Sequence, residues 1–162
     1  MAENKQTLNA VKEEYAILMK KHTLPSFDEL NTDFSVEKVV ETETDFLIRE
    51  IRKSLGDKML GYLRFIESLL NPVNAPMFVF SIVKLLDAEE KKKLSEIYTE
   101  LAKVEIKFIE LDIEFNEKKE AEFITESYVL WQKIKKKLLE IIDKVGKKWD
   151  DKSEGNNRGY FG

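Results

Sequence analysis

Leu94, Ile97, Leu101, Val104, Phe108, Leu111 and Phe115 recur at alternating spacings of three and four residues. A strand repeats every two residues, so this pattern fits only one face of an α-helix held against neighbours. A second seam follows, with Ile124, Trp131, Leu138 and Val145 seven apart and Ile134 and Ile141 between them. Ile48, Ile51, Leu55, Met59, Tyr62, Ile66 and Leu69 make a third. These seams predict helices over residues 44–70, 87–116 and 118–149. Residues 116–120 hold no apolar side chain before Ala121 and open with Asn116, which places a turn between two antiparallel helices there, the alternative being one continuous helix.

Shorter elements fill the rest. Leu8, Val11, Tyr15 and Leu18 predict a helix over residues 3–21. Pro25 breaks that pattern, and residues 23–44 read as a connector with one or two short helical turns pinned by Phe27, Leu30 and Phe34. Ser26 with Glu29, Thr44, and Asp87 with Glu90 are helix-start signals. Pro72 and Pro76 separate the long helix before them from a short one over residues 77–86. Six Gly and three Pro in 162 residues are too few for the turns of an all-β fold. The expected fold is therefore all-α: a mostly antiparallel bundle of four main helices plus short connecting helices. At this length one core is the default, so residues 1–149 are expected to form a single domain. Residues 150–162 lack periodicity and are expected to be a flexible C-terminal tail.

Composition excludes several chemistries. The chain has no Cys and one His, which removes disulfides, thiolate metal sites, cysteine nucleophiles and multi-histidine centres. There is no P-loop, GxGxxG, HExxH or EF-hand pattern. The paired-metal sites of four-helix bundles use Glu-x-x-His on two helices; the single histidine, His22, lies at the end of the first helix. Glu110, Glu114 and Glu117 share a face, which an exposed acidic surface explains better than a cation site. No catalytic residue, metal ligand or cofactor is assigned. No apolar run approaches the 18 residues a membrane span needs, and the first residues are polar without a signal-peptide core. The expectation is a soluble cytoplasmic protein with no membrane partner.

Helical wheels add two features. In the 87–116 helix, Ala102, Ile106, Ile109 and Ile113 form a second apolar stripe nearly opposite the first. Either the helix is central in the bundle, the simpler reading, or the stripe contacts another chain. Glu105 and Asp112 project between the stripes, while Arg52 and Lys135 fall inside the apolar arcs of their own helices. Buried carboxylates need basic partners, so Arg52, Glu105, Asp112 and Lys135 are candidates for an internal ion network; the competing reading has them snorkel to water.

Charge is segregated as well. Residues 105–126 carry eight acids against three bases, and residues 127–152 carry eight bases against four acids. Antiparallel pairing would bring Lys91, Lys92 and Lys93 near Lys144, Lys147 and Lys148, a pole able to hold nucleic-acid phosphates. The net charge of −4 weighs against general nucleic-acid binding, and no aromatic residue interleaves the lysines to stack on bases. Tyr160 and Phe161, at the C-terminus, are candidate anchors in a partner's pocket.

The runs Leu24-Pro25-Ser26-Phe27-Asp28-Glu29-Leu30 and Asp45-Phe46-Leu47-Ile48-Arg49-Glu50-Ile51-Arg52, with the acid-capped helix from Asp87, resemble a family of small uncharacterised helical proteins from archaea. The resemblance implies a cytosolic archaeal source and brings no activity or site residue. The leading expectation is a non-enzymatic protein-interaction module or accessory subunit, binding itself or another protein through Ile106, Ile109 and Ile113 or through Tyr160 and Phe161. A nucleic-acid or ribonucleoprotein accessory using the lysine pole is second. An enzyme ranks third, because no residue pair has the spacing of an acid–base or nucleophilic unit.

Overall fold

The computed structural model describes the backbone of residues 7–159 and side chains to residue 153. Its α-helices are α1 (Leu8–His22), α2 (Phe27–Phe34), α3 (Leu47–Leu70), α4 (Met77–Val83), α5 (Ala88–Ile113) and α6 (Glu117–Gly159), with a 3-10 turn at Val36–Glu41. The fold is all-α: no strand occurs among the described residues, and the long helices α3, α5 and α6 pack against each other. No helix among the described residues is long and apolar enough to cross a membrane.

The starts of the helices follow from local side-chain chemistry. Thr7 Oγ1 accepts the Ala10 amide at 3.2 Å and caps α1. Ser26 and Glu29 form a reciprocal capping box on α2, at 3.2 and 2.8 Å. Those bonds, with the Ser26 amide foremost, hold the Glu29 carboxyl below its ordinary range. Asp87 and Glu90 repeat the reciprocal arrangement ahead of α5, at 2.7 and 3.0 Å. Thr44 Oγ1 instead accepts from the Phe46 amide at 3.0 Å, a local turn that delays the start of α3 to Leu47.

The packing divides into two compact units. The first holds the described residues up to Gly61 together with Ala102–Trp131. Its core includes Val11, Tyr15, Leu30, Ile51, Leu55, Leu111 and Ile124. Here the Tyr15 hydroxyl donates to the Pro25 carbonyl at 2.5 Å, and burial, with Glu29 nearby, pushes its pKa above the ordinary tyrosine value. The second holds Tyr62–Leu101 together with the described residues from Gln132 onward. Its core includes Leu63, Ile66, Ile82, Leu94, Ile97, Ile134 and Ile141.

Two sequence expectations are corrected. Along α3, Tyr62 is 38% exposed and Leu63 takes the seam position at 3%, because the steps Met59 to Leu63 to Ile66 keep the four-three rhythm. Residues 150–159 continue α6 instead of forming an aperiodic tail. Asp150, Asp151, Lys152 and Ser153 are exposed, so this last stretch is an extension without an apolar face, which an apolar pattern cannot reveal. Tyr160 and Phe161 lie outside the described residues.

Candidate functional site

The turn at residues 114–116 folds α6 back along α5. Lys119 Nζ meets Glu110 at 2.8 Å and Lys107 Nζ meets Glu126 at 2.5 Å across this hairpin, fixing the antiparallel register. The bond to Lys119 is the main reason the Glu110 carboxyl titrates low and the Lys119 ammonium high. At the same end, Glu117 accepts from Lys21 and pairs with His22, both at 2.7 Å. These bonds, Lys21 first, depress its pKa. Glu110 and Glu117 are thus committed to ion pairs. Among the described residues no group of three or more His, Asp or Glu side chains is placed to hold a metal ion.

The buried cluster centres on Arg52. Its Nε and Nη2 donate to Glu120 Oε2 and Oε1 at 2.6 and 3.3 Å, and its Nη1 donates to Asp112 Oδ1 at 2.9 Å. The guanidinium also lies 4.6 Å from the Phe108 ring centre. Burial by itself would lower the Arg52 pKa, but the bonds to Glu120 and Asp112 outweigh it and hold it above the ordinary value. The helical wheels select Arg52, Asp112, Glu105 and Lys135. Arg52 and Asp112 meet, Glu105 and Lys135 are half-buried, and the second acid on Arg52 is Glu120. Glu120 had been assigned to the turn. Its signal was present: Glu120, Ile124, Ser127 and Trp131 step four, three, four, so an acid occupies a seam position of α6. Arg52 and Glu120 have no exposed surface, so the pair offers a solute no access and ties α3 to α6.

Further contacts in this unit confirm how tightly the elements around Arg52 are set. A Cβ on Gly56 would collide with the Phe108 ring, so α3 carries glycine where that ring of α5 lies against it. Lys58 Nζ donates to the Asp33 carbonyl at the end of α2 and lies 5.6 and 5.2 Å from the Phe34 and Trp131 ring centres.

The second stripe of α5 has a different environment. Ile106, Ile109 and Ile113 are 68%, 52% and 81% exposed, which overturns the simpler reading of a centrally placed α5. The bonds from Arg49 and Arg52 to Asp112 place α3 on one flank of the stripe, and the Lys107–Glu126 and Lys119–Glu110 pairs place α6 on the other. Neither flank covers the isoleucines.

Half of the lysine pole is committed. Lys148 Nζ donates to the Leu85 carbonyl at 2.9 Å and to both Glu90 oxygens at 3.2 and 3.3 Å. Lys147 pairs with Asp143 at 3.0 Å and Lys93 with Glu89 at 3.3 Å. Lys91, Lys92 and Lys144 are exposed. Three of the six candidate phosphate ligands therefore already carry a carboxylate, which weakens the pole as a field for polyanions. Sequence reasoning missed one apolar surface in the second unit: Val73, Met77 and Phe78 are 72%, 83% and 61% exposed, with Trp149 6.1 Å from Phe78 between ring centres. The short length of the 77–86 run concealed which of its faces points outward.

Comparisons with protein-family models, curated proteins and solved structures return no match for this chain.

Proposed function

We propose that this protein is a non-enzymatic interaction module whose docking face is the α5 stripe of Ala102, Ile106, Ile109 and Ile113. One observation supports the reading: three isoleucines on successive turns of one helix face stand more than half exposed. Scattered exposed apolar residues are ordinary, but an aligned row is the kind of patch that marks a contact surface. Burying an isoleucine fully is worth about 1.5–3 kcal/mol, so this row holds back a favourable term that a partner would recover. The chemistry of the remainder agrees, since the buried Arg52–Glu120 pair is sealed from solvent and Glu110 and Glu117 near the hairpin turn are ion-paired.

The test is capture from the producing cells with two baits, the natural chain and an Ile106→Lys/Ile109→Lys variant. Both positions are solvent-facing, so the variant should melt within about 0.5 kcal/mol of the natural chain. A bound species present on the natural bait and lost on the variant is the expected result. Identical captures by the two baits would remove the stripe as the docking face.

A further inference from the structure

We draw no further inference here: the strongest candidate, the exposed apolar surface of Val73, Met77, Phe78 and Trp149 at the α4 end of the second unit, carries nothing because nothing in the structure shows what covers it.

Discussion

Arg52 and Glu120 meet through two parallel bonds, Nε to Oε2 at 2.6 Å and Nη2 to Oε1 at 3.3 Å, and neither side chain has any exposed surface. Such a pair locks register more than it adds stability, because the cost of drying two ions offsets most of their attraction. Removing one partner is a different matter. Arg52→Met leaves an unpaired buried carboxylate and should cost about 3–5 kcal/mol. Combining it with Glu120→Leu should recover most of that loss. Urea unfolding of the two single variants and the double measures the coupling; if the double costs the sum of the singles, the pair is not a unit.

Acid sensitivity should come from the carboxylates that are bonded in the fold. Glu29, Asp87, Glu110 and Glu117 all titrate below their ordinary values of 4.5 for Glu and 3.8 for Asp. A group whose pKa is depressed by folding stabilises the protein above its unfolded value and loses that contribution as pH falls through the folded one. Melting temperature should therefore be level from neutrality to about pH 5 and fall below about pH 4. Glu117→Gln, which discharges the acid held by Lys21 and His22, should flatten part of that decline. An unchanged acid limb would assign the sensitivity to other carboxylates.

The two glycines inside α3 should respond in opposite directions to the same methyl group. At Gly56 the Cβ runs into the Phe108 ring, which also supports the Arg52 guanidinium at 4.6 Å from its centre. Gly56→Ala should thus destabilise by about 1–3 kcal/mol. At Gly61 the Cβ meets nothing within 4 Å, so Gly61→Ala should stabilise by up to about 1 kcal/mol through helix propensity alone. Thermal melts of the two variants decide it; equal signs would mean that α3 and α5 do not approach as described.

Periodicity carried the helices because each long one buries a single seam, and a seam writes its rhythm directly into the chain. What it could not carry was the state of the second stripe. Ala102, Ile106, Ile109 and Ile113 have the same spacing whether covered or bare, and only the positions of α3 and α6 on either flank show that they are bare. The ion cluster was half legible. Arg52 announces itself as a charge inside an apolar arc and Asp112 as an acid between two apolar stripes, while Glu120 is hidden because it follows a polar turn, although it stands four residues before Ile124 in the same seam. The extension of α6 through Gly159 left no apolar trace to read.

Lys148 and Lys147 are neighbours in sequence but should differ sharply in effect. Lys148 Nζ bonds both oxygens of Glu90, whose side chain is 2% exposed, and the Leu85 carbonyl. Glu90 in turn accepts from the Asp87 amide at 3.0 Å. One ammonium therefore ties α6 to the cap of α5, and the acid it neutralises is out of water. Asp87 titrates low chiefly because it accepts from the Glu90 amide, with Lys148 and Lys144 adding to the effect. Lys148→Met keeps the aliphatic stem but abandons that buried acid, and should cost about 1.5–3 kcal/mol. Lys147 is 74% exposed and pairs with Asp143 one turn away on its own helix, so Lys147→Met should change stability by no more than about 0.5 kcal/mol. Urea unfolding of the two variants side by side checks the contrast. Comparable losses would mean that Lys148 is a surface charge like its neighbour and that the α5 cap is held by Asp87 and Glu90 alone.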